Sequence, residues 1–213
     1  PMEGAMVPTP EKRTRDYRAS VTCMDESIGK MLAFLDEKKI ANDTMVIFFS
    51  DNGGGGGSDN SPLKGGKSKM WEGGIRVCAA VRWPGKVPAG KVNDEFLTSL
   101  EILPTVAALT GTKISSGLIL DGFDMLPILQ GKTKSPRKEM FWERKDLRAA
   151  RVGNWKWVDT PTYGGLFDLS KDIGEKNDLS KKNPRILAMV KARYANWKKE
   201  MALAEPRGPF RDY

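Results

Sequence analysis

The chain has 213 residues, 39% of them hydrophobic, with six Trp and eight Phe, so it carries enough apolar mass for a substantial core and is not a disordered tail. No apolar run reaches the ~20 residues of a membrane span, and the complete absence of His removes the commonest zinc ligand. The formal charge of +8 is uneven: residues 132–200 hold 18 Lys and Arg against 9 Asp and Glu, an excess that a solvated lysine-rich surface accounts for without a nucleic-acid partner.

The opening stretch PMEGAMVPTPEKRTRD lacks the apolar segment of a signal peptide. Residues 15–38 then place Val21, Met24, Ile28, Met31, Leu32 and Leu35 at helical spacing, which predicts an amphipathic helix with one buried stripe. TMVIFFS, at 44–50, is short, β-rich and almost wholly apolar, the pattern of a strand covered on both faces in a parallel sheet. IRVCAAVRW, at 75–83, reads the same way and is stopped by Pro84-Gly85. Helical spacing returns at Pro104–Leu109. Cys23 and Cys78 show no C-x-x-C spacing and do not define a redox compartment.

From residue 138 the texture changes. EMFW, LRAARV and WKWVD, with Gly153-Asn154 between the last two, predict an antiparallel meander. NPRILAMVKARYANWKKEMA predicts a helix capped by Asn183, with Pro184 in its first position and Ile186, Val190, Trp197 and Met201 on one face. The reading is therefore an α/β domain over residues 1–137 and a small α+β subdomain over residues 138–213.

The chemistry concentrates in FFSDNGGGGGSDN, 48–60, and SPLKGGKSKMWEGGIRV, 61–77. Asp51 and Asn52 end a predicted strand, where open α/β sheets commonly build sites, and their oxygens suit a hard cation such as Ca²⁺ or Mg²⁺. Two ligands fall short of the roughly 6–8 oxygens that Ca²⁺ takes. Lys67 lies between two glycine pairs, which let backbone approach a bound group while the ammonium meets an anionic oxygen. Taken alone, these residues also fit an Asp-Asn-Gly turn and a surface lysine. GGKS at 65–68 is not a phosphate-binding loop, since Ser61 stands where its first glycine belongs, and an EF-hand begun at Asp51 would put Pro62 at the terminal glutamate position.

In order along the chain, S-D-N-G-G at 50–54, P-L-K-G-G-K at 62–67, E-G-G-I-R-V at 72–77, R-W-P-G at 82–85, L-P-T at 103–105, R-A-A-R-V-G-N-W-K-W and L-F-D-L-S-K-D-I-G-E-K-N-D-L resemble the sulfatase family of the alkaline-phosphatase superfamily. The resemblance implies the C-terminal part of an alkaline-phosphatase-like sandwich with a small antiparallel sheet and helix as its subdomain. It implies hydrolysis of a sulfate ester, on a sulfated small molecule or glycan, in an exported or lysosomal enzyme. Asp51 and Asn52 inherit a Ca²⁺ site begun by two acidic residues earlier in the family's sequence, and Lys67 inherits the sulfate contact. For Glu72 and Arg76 a purely structural role is favoured over organising the loop by ion pairing, while Lys64 and Lys69 are expected to be exposed bystanders.

The family nucleophile, a formylglycine made from Cys or Ser in C/S-x-P-x-R, does not appear in this chain. CAAVR at 78–82 has the spacing but Ala80 in place of proline, so Cys78 is not that residue, and Cys23 lies on the predicted helix. The family's histidines are missing too, and the resemblance places one of them just ahead of a stretch like PMEGAMVP. These departures imply that the nucleophile belongs to an upstream half and that the chain on its own is inactive. The alternatives are a related phosphonate or phosphate-ester hydrolase, and a noncatalytic polyanion-binding remnant.

Overall fold

A computed structural model describes residues 9–204; the proline-containing stretch 1–8, expected to follow a family histidine, lies outside them. The elements in chain order are α1 Pro10–Glu37, β1 Val46–Phe49, α2 Glu72–Ile75, β2 Ala79–Arg82, α3 Ile102–Thr110, α4 Leu126–Leu129, β3 Glu139–Arg144, β4 Leu147–Val152, β5 Trp155–Asp159, β6 Gly164–Asp168 and α5 Pro184–Leu203. They fall into two compact units: residues 9–51, 55–58 and 77–138 form one, and residues 52–54, 59–76 and 139–204 form the other.

In the first unit, α1 begins where Thr9 accepts the Lys12 N–H and Pro10 supplies a preset φ. Its apolar stripe forms as the spacing predicts, but its burial does not: Ile28, Leu32 and Leu35 are half-buried, Val21, Met24 and Met31 are exposed, and no residue of α1 is buried. Periodicity fixes which face is apolar; covering it takes a partner surface, which the described residues do not provide. At the helix end, Arg82 of β2 grips Asp36 through bonds of 2.9 and 3.2 Å, and Trp83 donates its indole N–H to the Asn42 carbonyl at 2.7 Å.

Two strand expectations are corrected. β1 pairs antiparallel with β2, Val46 opposite Arg82 and Phe49 opposite Ala79, and both strands are half-buried or exposed. A parallel pair needs a crossover of a dozen or more residues, usually helical, whereas the segment between these strands is occupied by the glycine loop. The second strand is also shorter than IRVCAAVRW, because Glu72–Ile75 is helical. The polar centre of this unit is Glu101, fully buried: its carboxylate takes the Thr98 N–H and hydroxyl and pairs with Arg137, while its carbonyl takes the Thr105 hydroxyl at 2.7 Å.

In the second unit, β3–β4–β5–β6 form an antiparallel meander in sequence order. The tight turns carry Lys145 at φ +55° and Gly153 at φ +58°, the left-handed geometry that matches strand twist in hairpins. Alternation assigns the two faces. Ala150, Trp157 and Leu166 pack with Val190, Tyr194, Ile186 and Trp197 of α5. On the opposite face, Ala149, Val158 and Phe167 pack with Met70 and Trp71 from the lysine segment. The helix expectation holds with two changes. Asn183 makes no side-chain cap, its amide donating instead to the Leu179 carbonyl at 3.4 Å, and Met201 is exposed while Tyr194 is buried. Tyr194 also donates its hydroxyl to Glu143 at 2.5 Å, and burial and that carboxylate push the phenol up.

Candidate functional site

The glycines are not a linker. Gly53 donates its N–H to the Gly74 carbonyl at 3.0 Å, and Gly73 to the Lys64 carbonyl at 2.8 Å. A Cβ on Gly53 would overlap the Gly73 carbonyl, one on Gly74 would overlap the Lys69 carbonyl, and one on Gly73 would lie 2.5 Å from the carbonyls of both Lys64 and Gly65. Backbone therefore packs directly on backbone, which only glycine permits. Asn60 clasps the two arms: its carbonyl oxygen accepts the Gly54 N–H at 2.9 Å, and its amide donates to the carbonyls of Gly54 at 3.0 Å and Gly65 at 3.2 Å. Gly56, by contrast, has open space around it.

Within this unit the Lys67 N–H donates to the Gly54 carbonyl at 3.0 Å, so the lysine backbone is fixed two residues beyond Asn52. The Lys67 side chain is exposed, and among the described residues its ammonium makes no ion pair. Asp51 is exposed just past the end of β1, after the Ser50 N–H bonds the Cys78 carbonyl, and Asn52 is half-buried. Their oxygens are the right chemistry for a hard cation, but among the described residues no three His, Cys, Asp or Glu side chains gather as a metal centre. Two oxygen-bearing side chains fall short of the roughly 6–8 oxygens of a complete Ca²⁺ shell.

Beneath the loop lies a buried charge cluster. Lys156 of β5, wholly buried, brings Nζ to 2.9 Å from Glu72 Oε1 and 2.8 Å from Glu175 Oε1. The second contact lies off the hydrogen-bonding direction, so it acts as Coulombic attraction. Glu175 Oε2 accepts the backbone N–H of Glu72 at 2.5 Å, at the start of α2, where a carboxylate is favoured. Arg76 reaches the other Glu72 oxygen at 3.4 Å, forming an ion pair. Burial pushes the Glu175 carboxyl up, and the Lys156 ammonium and the Glu72 N–H pull it back without cancelling that.

Lys64 is exposed as the sequence suggests, but it is engaged with its surroundings. Its ammonium sits 3.8 Å from the centre of the Trp71 ring and donates to the Glu175 carbonyl at 3.2 Å. Trp71 in turn stacks on Tyr163 at 5.3 Å and meets Phe167 edge-on. Sequence reasoning missed Asn60, Lys156 and Glu175. The signal for Lys156 was a lone cation between two tryptophans in a strand with both faces covered, where alternation gives no warning. Lys69 has an exposed side chain.

A sequence model of the Sulfatase family matches residues 5–112. Steryl-sulfatase of Homo sapiens is 33% identical over 221 residues, covering 82% of this chain and 38% of that protein. Arylsulfatase A of Homo sapiens is 31% identical over 198 residues, covering 73% of this chain and 37% of that protein. Among solved structures, Ps i-CgsB in complex with k-i-k-neocarrahexaose superposes with a TM-score of 0.80 at 33% identity, over 87% of this chain and 43% of that one. The chain thus spans less than half the length of these relatives. Its α/β architecture is that of the alkaline-phosphatase-like sulfatases. With the family model covering half of its residues, glycine loop included, the chain belongs to the sulfatase family.

Proposed function

We propose that this chain is the C-terminal portion of an enzyme that hydrolyses a sulfate ester to an alcohol and inorganic sulfate. In this reading residues 1–137 complete its catalytic α/β domain and residues 138–213 form a small subdomain. The observation that carries the reading is the Lys67 loop: its backbone is fixed on Gly54 and its ends are packed through glycine, yet its ammonium is exposed and unpaired among the described residues. A cation carried on a fixed backbone and without an ion-pair partner among the described residues is suited to an anionic ester, whose charge it would neutralise as the sulfuryl group departs.

Asp51 and Asn52 would supply two oxygens to a Ca²⁺ ion whose remaining ligands come from elsewhere, and the ion would add positive charge beside the ester. The nucleophile, a formylglycine in this reading, would be contributed by residues other than these 213, since C/S-x-P-x-R is not among them. The substrate class is a sulfated small molecule or glycan. N-acetylgalactosamine-6-sulfatase of Canis lupus familiaris, 33% identical over 68% of this chain and 30% of that protein, and the oligosaccharide complex of Ps i-CgsB support the glycan side of that choice. An exported or lysosomal setting follows from the same likeness.

The reaction class is tested by product. The full-length protein should release sulfate from para-nitrophenyl sulfate faster than phosphate from para-nitrophenyl phosphate at equal concentration. The opposite ranking would overturn the sulfatase reading in favour of phosphate-ester hydrolysis.

A further inference from the structure

The loop that carries Lys67 is held at both ends by a cluster built on three buried charged residues, Glu72, Lys156 and Glu175. Glu72, immediately C-terminal to the loop, is buried and ion-paired to Lys156 at 2.9 Å. Lys64, at its N-terminal side, is held by the Glu175 carbonyl at 3.2 Å and by the Trp71 ring. Glu175 joins the two ends, because its carboxylate meets both Lys156 and the Glu72 N–H while its carbonyl meets Lys64. The Gly73 N–H to Lys64 carbonyl bond of 2.8 Å then closes the ring of contacts below Lys67. Lys156 itself rides on β5, the central part of a meander paired on both sides.

We propose that Lys156 is a positioning residue: through Glu72 and Glu175 it ties both ends of the lysine loop to β5 and so sets where the Lys67 ammonium meets an anion. The inference rests on the reading of Lys67 as the sulfate contact. A wholly buried cation between two buried carboxylates is a poor source of stability, since desolvation offsets much of the attraction. It is, however, a stiff one, because moving either partner would leave a buried charge unmatched. Glu72 and Glu175 stand against Lys156 and Arg76, with Arg151, across the ladder from Lys156, also acting on Glu72, so removing Lys156 takes away the one ammonium that meets both carboxylates.

The test is a double-mutant cycle on inorganic sulfate affinity, measured by calorimetry on the full-length protein. Lys67→Ala should weaken sulfate binding about 10-fold or more, the scale of a lost charge-assisted contact. Lys156→Gln should weaken it by roughly the same factor when Lys67 is present, and by less than about twofold when Lys67 is already Ala, because a residue acting through Lys67 has nothing left to position. Lys69→Ala should leave the affinity within about twofold. If Lys156→Gln fails to fold, Glu175→Gln enters the same cycle, since the amide keeps an acceptor for the Glu72 N–H while losing the charge that Lys156 meets. Equal losses in both Lys67 backgrounds would overturn the positioning role and leave Lys156 a structural residue. No loss on Lys67→Ala alone would overturn the sulfate assignment of Lys67 instead, so the two failures are separable.

Discussion

Replacing Lys67 with Ala in the full-length enzyme should lower kcat/KM for a sulfate ester by roughly 10²-fold or more, the scale of losing one preorganised charge-stabilising donor. The loop's construction explains why the effect should be large. The Lys67 backbone is bonded to Gly54 and its neighbours are packed through glycine, so the ammonium is presented from a fixed stretch of main chain. Lys69→Ala provides the charge control and should cost less than about threefold, since an exposed charge acts only through screened water. Lys64→Ala is not a control: it removes the ammonium that caps Glu175 and covers Trp71. Steady-state kinetics on the three variants decide the matter, and equal losses for Lys67 and Lys69 would reduce the loop to a diffuse positive patch.

Gly74→Ala should destabilise the protein by about 3 kcal/mol or more, at the upper end of overpacking costs. The added methyl would collide with the Lys69 carbonyl and lie 2.5 Å from that of Gly66, and both are backbone, tied to each other by the Lys69 N–H to Gly66 carbonyl bond of 3.0 Å. Gly56→Ala, in the same glycine-rich segment, meets nothing within 4 Å and does not require a positive φ. It should be neutral or stabilise by about 0.4–1 kcal/mol through the unfolded chain. Thermal unfolding of the two variants separates a packed loop from a flexible one, because a linker would tolerate both changes alike.

The same glycines show what the sequence makes legible and what it does not. Their density marks a special backbone, and their spacing around Lys67 marks a site, but only the three-dimensional arrangement reveals that Gly53, Gly73 and Gly74 are pressed against one another. The meander was legible because short strand-like runs follow one another closely and Gly153-Asn154 marks a turn between two of them. The direction of β1 was not, since an apolar run carries no record of its partner, and the partner proved to be the antiparallel β2. The α1 stripe shows the converse: spacing states which side chains share a face, while burial depends on what lies opposite.

At the candidate site, Lys67, Asp51 and Asn52 stood out because their types and surroundings are chemically suggestive. Lys156 and Glu175 did not, because a buried ion pair between residues 19 apart looks in sequence like two ordinary surface charges. Glu72 was legible only as half of the local pair with Arg76; its stronger partner lies 84 residues away.

The most direct measurement is a crystal structure of the full-length protein grown with Ca²⁺ and inorganic sulfate. The account predicts a sulfate oxygen within about 2.7–3.2 Å of Lys67 Nζ and a cation about 2.3–2.6 Å from oxygens of Asp51 and Asn52. A sulfate bound elsewhere, with Lys67 turned to solvent and no cation at Asp51, would contradict it.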